Sequence, residues 1–216
     1  MRGPPFRARA MHPDHSTPPP EPTSPIRMKR PRTYEGHDHE TIGSELLSVL
    51  AVVSDPSEVL GQTSSARLAR VTPDGWYPIS WMMDLLDLLD QRVGQMGLRQ
   101  MGRKVFRTTH GDFVRQTCTS ARDVIYGLDD LYRRANRGRN IGGWALMDFA
   151  PGRAMVECTA PHHCSMVEGL LCEALMAVGV PAVVMQTECF RRGSESCVYE
   201  ISSAFVGHEW SGERVA

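Results

Sequence analysis

Cysteine and histidine side chains that could bind a metal are concentrated in one stretch, Ala160–Ile201. It holds four of the six cysteines, among them Cys164, and two adjacent histidines, His162 and His163. A helical repeat of apolar residues starts at Val167, so these three side chains lie where a helix begins. The positive end of a helix favours the thiolate of a nearby cysteine, which is the form that binds metals.

Two further cysteines are positioned by a predicted β-hairpin. Apolar and β-branched residues fill Val183–Cys189 and Cys197–Ser202, and the polar turn between them contains Gly193. In a hairpin centred on this glycine, Cys189 and Cys197 face each other with their Cβ atoms roughly 4.5–5.5 Å apart. That separation suits two thiolates on one zinc ion or, after a small shift, a disulfide.

The order of these residues resembles the 4-vinyl reductase domain superfamily, which includes the sensor domains of phenol-responsive transcriptional activators. The resemblance rests on Cys164, the segment Met166-Val167-Glu168-Gly169-Leu170, and the pattern Cys189-x3-Gly193-x3-Cys197-x-Tyr199. It is strongest over Val156–Ile201 and extends diffusely back to about Ile42. It implies a structural zinc held by the three matching cysteines beside a buried ligand pocket.

The fourth zinc ligand in those sensor domains is a carboxylate two residues before a tryptophan. In this chain Gly142 occupies that position before Trp144. The resemblance therefore leaves His163, or its neighbour His162, as the replacement ligand.

The implied pocket lies between the helices and the sheet. Five residues are candidates for its wall and suit a small apolar or aromatic ligand, although each alone also fits ordinary core packing. They are Trp81, Phe106, His110, Tyr126 and Trp144.

Periodicity elsewhere predicts the elements that position these residues. Apolar residues at helical spacing predict helices, and shorter β-branched runs predict strands. The helices are Ile79–Gly94, Gly97–Thr109 and Thr119–Asn136, with a loop at His110-Gly111-Asp112, and Trp144–Phe149 with Ala154–Cys158 is predicted as a hairpin. Gly43–Val53 is compatible with a strand or a short helix, and its small and β-branched residues favour the strand. This order predicts an α+β fold: an antiparallel sheet with helices mainly on one face, ending in a helix and a β-hairpin.

Composition divides the chain into three parts. Residues 1–33 hold nine of the fifteen prolines and seven of the 24 basic residues but only two of the 25 acidic ones, which predicts a disordered tail. Residues 34–204 form the predicted 4-vinyl-reductase-like ligand-binding domain, and residues 205–216 a C-terminal tail. Residues 34–216 carry a net charge of −6, which argues against nucleic-acid binding by the folded part.

These patterns together predict a cytoplasmic, non-catalytic sensor or regulatory domain that binds a small molecule and contains a structural zinc. No run approaches the ~18 apolar residues of a membrane span, and no secretory signal accompanies the cysteines. The expected partners are a second copy of the chain and a separate output protein. The alternatives are a dimerising interaction module of the same fold, or a tetrapyrrole-related reductase subunit, for which no dinucleotide-binding motif is found.

Overall fold

A computed structural model describes residues 38–53, 59, 61, 65–205 and 210. The predicted N-terminal tail lies outside the described residues, as does most of the C-terminal one. Within the described part, no helix is both long and apolar enough to cross a membrane.

A four-stranded antiparallel sheet contains both predicted hairpins, which are thereby confirmed. Its strand order is β4-β5-β7-β6. The strands are β4 (Trp144–Ala150), β5 (Arg153–Cys158), β6 (Ala182–Glu188) and β7 (Cys197–Ser203). Glu188 pairs with Val198, so the second turn is centred on Gly193, which has a φ of 102°. A side chain other than hydrogen is disfavoured at such a positive φ, which explains a glycine at this point.

Two helices, α2 (Ile79–Thr109) and α6 (Cys164–Met176), form the main helical layer: α6 packs on this sheet, and α2 packs on α6. Helix α2 spans Ile79–Thr109 and is interrupted at Gly94, where φ is 63°, so the two predicted helices are confirmed with their boundary. Helix α6 spans Cys164–Met176 and crosses α2 at very close range. A Cβ atom on Gly169 would lie 1.9 Å from the carbonyl oxygen of Arg99.

A second, three-stranded sheet holds the N-terminal part of the described chain. Its order is β2-β1-β3, and all its pairings are antiparallel. The strands are β1 (Glu40–Ile42), β2 (Trp76–Pro78) and β3 (Asn136–Arg137).

Helix α1, Gly43–Leu50, follows β1 directly, so the strand predicted over Gly43–Val53 is wrong. Leu46 and Val49 are fully buried because they lie on one helical face, packed in the core with residues of α2. A short apolar run does not distinguish a helix from a strand by its period alone.

The region between α2 and β4 contains more breaks than its sequence predicts. Helix α3 covers Gly111–Thr117, although the sequence predicts a loop at its start. The single helix predicted over Thr119–Asn136 is split into α4 (Ala121–Tyr126) and α5 (Leu128–Ala135) at Gly127. Both helices are short, and their buried faces join one core with the sheet and α6, which orients them more strongly than their sequence period does.

The arrangement confirms the predicted α+β class, with helices packed on an antiparallel sheet. The core extends beyond the predicted domain. Trp210 belongs by sequence to the C-terminal tail, but it is only 2% exposed, and its ring centroid lies 5.9 Å from that of Phe149.

Candidate functional site

A cavity of about 60 Å³ lies between the helical layer and the first strand of the large sheet. Its walls are mostly apolar, and its polar groups come from four separate parts of the chain. The lining residues are Glu45, Val105, Phe106, His110, Leu128, Leu131, Tyr132, Asn136, Trp144, His162, Met166, Val167, Leu170, Leu171 and Ala174. An apolar cavity with a few convergent polar groups is the usual form of a small-molecule site.

The polar end of the cavity is organised around the buried carboxylate of Glu45 on α1. Its Oε1 accepts a hydrogen bond from His110 Nε2 at 3.1 Å, and its Oε2 accepts one from the Thr41 hydroxyl at 3.2 Å. The Nε2 of His162 lies 3.8 Å from Oε2. One carboxylate thus connects a strand, the end of α2 and the loop before α6.

The environment of Glu45 keeps this carboxylate ionised. Burial raises the pKa of Glu45, but the hydrogen bond with His110 and the charges of His162 and His110 lower it by more. The net result is a pKa below the usual value for a glutamate. A buried anion of this kind is stable only because its oxygen atoms have partners.

Two further polar residues fix the wall beside this carboxylate. The Tyr132 hydroxyl donates to the backbone carbonyl of Ile141 at 2.9 Å, and the ring of Tyr132 meets the His162 ring edge-on at 5.9 Å. Asn136 Nδ2 donates to the backbone carbonyl of Tyr132 at 3.1 Å. These contacts set the orientation of the tyrosine ring and of the asparagine amide.

Three of the five predicted pocket residues line this cavity: Phe106, His110 and Trp144. The other two lie elsewhere. Trp81 packs in the second core cluster, with the guanidinium carbon of Arg67 4.5 Å from its ring centroid. Tyr126 is 43% exposed and lines a separate cleft of about 130 Å³, which Trp144 also borders.

Sequence reasoning missed Glu45 and Asn136 and treated His162 only as a metal ligand. Glu45 is an acidic residue beside an apolar run, Leu46–Val53, and this is the one local signal for a buried carboxylate. If the run is taken for a strand, this signal does not indicate that Glu45 is buried. Asn136 carries no signal, because it follows the basic end of a helix and resembles an ordinary turn residue.

The three cysteines that match the resemblance to the 4-vinyl reductase superfamily meet in the structure. The Sγ of Cys164 lies 3.4 Å from that of Cys197 and 3.6 Å from that of Cys189, and all three sulfur atoms lie within 4.8 Å of one another. Among the described residues, the potential metal ligands that lie together here are these three cysteines, and His163 is not one of them. Its Nε2 lies 3.2 Å from Asp90 instead.

The thiol cluster connects to the cavity through the first turn of α6. The Tyr199 hydroxyl donates to the backbone carbonyl of Cys164 at 3.3 Å, and the Tyr199 ring centroid lies 6.2 Å from that of Trp144 in the cavity wall. Tyr199 therefore contacts both the thiol cluster and the cavity wall. The thiol cluster and the cavity are otherwise separate groups of side chains.

We expect the Cys164 thiol to react slowly with alkylating reagents in the native protein. A hydrogen bond with Cys197 and burial together raise the pKa of the Cys164 thiol far above its usual value, and only the thiolate is nucleophilic. Iodoacetamide labelling at about pH 8, near the usual pKa of a free cysteine, should modify Cys164 chiefly after denaturation, as followed by peptide mass spectrometry. Rapid native labelling of Cys164 would contradict this expectation, and Cys118, which is partly exposed, serves as the internal comparison.

No family model matches the sequence, and no curated protein matches it significantly. Solved structures of H-NOX proteins do match in fold. An H-NOX variant from S. oneidensis in the Fe(II) ligation state superposes with a TM-score of 0.59 at 13% identity, covering 80% of this chain and all of that one. An H-NOX protein from the same organism in the Fe(II)NO state gives 0.57 at 14% identity, covering 76% and 99%.

A third neighbour, described by heme redox potential and porphyrin distortion, gives a TM-score of 0.53 at 12% identity, covering 76% and 93%. At these identities the likeness concerns the fold alone. The chain is an α+β domain similar in fold to H-NOX proteins. Its resemblance to the 4-vinyl reductase superfamily stays a prediction.

These neighbours overturn the predicted structural zinc. The solved structures that share this fold are described by Fe(II) states and, in one case, by heme, and not by zinc. The spacing of Cys164, Cys189 and Cys197 correctly indicated proximity, but proximity of thiols is also met by buried, protonated cysteines that pack in a core. The ion and its fourth ligand, His163, are the parts of the prediction that fail.

A heme, the group that these neighbours suggest, does not fit the cavity of this chain. A cavity of about 150 Å³ is what benzene occupies, and a porphyrin is far larger than benzene, whereas this cavity measures about 60 Å³. Histidine is a common axial ligand of heme iron. Here, however, His110 and His162 both direct Nε2 towards Glu45. None of the lining residues is an arginine or lysine that could pair with heme carboxylates.

Proposed function

We propose that this chain is a small-molecule-binding sensor domain whose ligand occupies the cavity between α2, α5, α6 and Trp144. The observation that carries the proposal is the cavity itself, with apolar walls and the Glu45 cluster at one end. The fold likeness adds support, because an H-NOX neighbour is described with a bound small molecule in its Fe(II)NO state. The binding chemistry in this chain would be that of its own side chains.

The position of the cavity suits a sensor. Its lining residues come from α1, α2, α5, β3, β4 and α6, so an occupant would contact most layers of the fold at once. A ligand shifts a conformational equilibrium by the difference of its affinities for the two states. Contacts to many elements provide the means for such a difference, because a rearrangement of any one of them changes the ligand's surroundings.

The size of the cavity limits the affinity of any ligand. The best small ligands gain about 1.5 kcal/mol per non-hydrogen atom, so a molecule of about five such atoms binds no more tightly than the low micromolar range. Binding must therefore be measured at high micromolar to millimolar ligand concentrations. A sensor of this type responds to an abundant small molecule.

We expect Ala174→Val to weaken binding without loss of stability. Ala174 is 1% exposed and lines the cavity, so two added methyl groups would occupy the space that the ligand needs. Filling an existing cavity is commonly neutral or stabilising. Two-dimensional NMR titration with xenon and with n-butanol should show at least about tenfold weaker binding than in the unmodified protein, a loss of about 1.4 kcal/mol.

The matched control is Ala177→Val, at the end of the same helix and outside the cavity. It should bind both probes as the unmodified protein does. Equal binding by the Ala174 variant, or an absence of binding by the unmodified protein, would refute the proposed site. Thermal denaturation of both variants establishes that each is folded.

The two predicted protein partners, a second copy of the chain and a separate output protein, remain part of the proposal. A readout through assembly requires that cavity occupancy changes the association of the chain. Sedimentation velocity with and without n-butanol measures this directly. An unchanged sedimentation coefficient at saturating ligand would contradict a readout through assembly and would leave a separate output protein as the partner.

A further inference from the structure

We infer that the cavity selects a neutral molecule that has a short apolar body and one hydrogen-bond donor, as the short-chain aliphatic alcohols do. This inference rests on the proposed function, since it concerns the same cavity. It adds the chemical class of the ligand and the residue that recognises it, Asn136.

Asn136 is the observation that carries the inference. It is 2% exposed and lines the cavity, and its Oδ1 atom is buried without a hydrogen-bond partner among the described residues. Buried side-chain acceptors are nearly always satisfied by protein groups or by ordered water. Asn136 is one of the residues that line the cavity, so an occupant that moves into contact with this side chain would supply the missing donor.

The orientation of the Asn136 amide is fixed by its surroundings. Its Nδ2 donates to the backbone carbonyl of Tyr132 at 3.1 Å, and rotation of the amide by a half turn would place two acceptors against each other. The backbone of Asn136 is held as well, because β3 pairs with β1 at Thr41. The unsatisfied atom of Asn136 is consequently an acceptor, and the matching group on the ligand is an O–H or N–H.

The charges around the cavity exclude an anionic ligand. Glu45, the only carboxylate among the lining residues, is ionised, and the two lining histidines, His110 and His162, already face it. No arginine or lysine among the described residues lines the cavity to offset a second negative charge. A carboxylate ligand would meet this anion and the Asn136 Oδ1 acceptor together. Both contacts are repulsive.

A cationic ligand is also disfavoured, because the Glu45 oxygens already have partners. Thr41 and His110 donate to them, and His162 lies 3.8 Å away. An ammonium group would have to displace one of these groups while losing its own hydration among apolar walls such as Leu171. A neutral donor loses far less hydration and needs only the one acceptor that Asn136 provides.

The volume of the cavity sets the size of the ligand. Since about 150 Å³ accommodates benzene, a cavity of about 60 Å³ suits an aliphatic body rather than an aromatic ring. This differs from the aromatic ligand that the resemblance allows. Short-chain alcohols combine the required donor with an apolar body of the right length.

The test compares n-butanol with its isomer diethyl ether, which has the same atoms but no donor, and with xenon, which is purely apolar. Two-dimensional NMR titrations of the unmodified protein should show n-butanol binding at least about tenfold more tightly than diethyl ether, the effect of one neutral hydrogen bond. In Asn136→Leu this preference should disappear, while xenon binding persists.

The outcomes separate this inference from the proposed function. If n-butanol and diethyl ether bind equally well to the unmodified protein, the donor class is wrong, although the cavity still binds small molecules. If none of the three probes binds, the proposed function fails and this inference fails with it. The comparison of the two isomers needs no variant, so it remains decisive even if Asn136→Leu does not fold.

Discussion

Replacing Gly169 by alanine should lower the free energy of unfolding by about 2–3 kcal/mol. A Cβ atom at this position would lie 1.9 Å from the carbonyl oxygen of Arg99, a backbone atom of the opposing helix. The helices α2 and α6 would have to separate along their whole contact. Alanine is intrinsically better than glycine in a helix by about 1 kcal/mol, so the steric clash must exceed that gain.

The crossing of α2 and α6 contains a second glycine in close approach, so a destabilising effect is expected for substitutions at both glycines. A Cβ atom on Gly102 would lie 2.0 Å from the carbonyl oxygen of Met166. Ion pairs of Arg99 with Glu168 and of Arg107 with Glu173 flank the crossing and hold its register. Urea denaturation followed by circular dichroism measures the loss for each variant.

Gly111→Ala is the matched control for Gly169→Ala. Gly111 is also helical, but a Cβ atom added there would have as its nearest neighbour the terminal nitrogen of Arg115, at 3.2 Å, and this side chain can move. We expect a change within about 1 kcal/mol, in the stabilising direction. If Gly169→Ala were as stable as the control, the close helix crossing would be incorrect.

Replacing Glu45 by glutamine should lower the free energy of unfolding by about 2 kcal/mol at neutral pH. Hydrogen bonds to a charged group contribute about 1.5–3 kcal/mol, and glutamine retains the size of the side chain but not the charge that His110 and His162 face. The Thr41 hydroxyl still finds an acceptor, which keeps the loss below that of a truncation to alanine.

The loss caused by Glu45→Gln should shrink as the solution is acidified. The pKa of Glu45 is lower in the folded protein than in the unfolded chain, so its ionised form stabilises the fold at pH values above the usual value of about 4.3. That stabilisation is lost as the pH falls through the lowered folded pKa. Urea denaturation of both proteins at about pH 7 and about pH 3, on the two sides of that usual value, should show the difference between them decreasing at the lower pH.

Glu40→Gln is the comparison for this pH experiment. Glu40 forms an ion pair with Arg137 at 2.6 Å, but both side chains are substantially exposed, so its removal should cost less than about 1 kcal/mol. A loss for Glu45→Gln that equals that of Glu40→Gln, or one that does not depend on pH, would contradict the buried cluster.

The local elements of the C-terminal half could be predicted from the sequence alone. The two hairpins and the start of α6 at Cys164 follow from strong local signals: β-branched runs around a turn and apolar residues at helical spacing. The approach of Cys189 to Cys197 also follows, because the register of a short hairpin is set by its turn.

The N-terminal part could not be assigned in the same way. Gly43–Leu50 is a helix because Leu46 and Val49 meet the buried face of α2, and neither partner is visible from an eight-residue apolar run. The division of residues 119–136 into α4 and α5 likewise depends on packing against the sheet and α6.

The sequence by itself determined the fold class, the hairpins, the long helices and the approach of Cys189 to Cys197, because these depend on short-range period and turn chemistry. Only the tertiary structure decided the candidate site. Glu45, His110, Asn136 and His162 lie far apart in the chain, and they converge because β1 pairs with β3 and α6 packs on α2. Their chemistry depends on burial and on distances between elements, which no local pattern encodes.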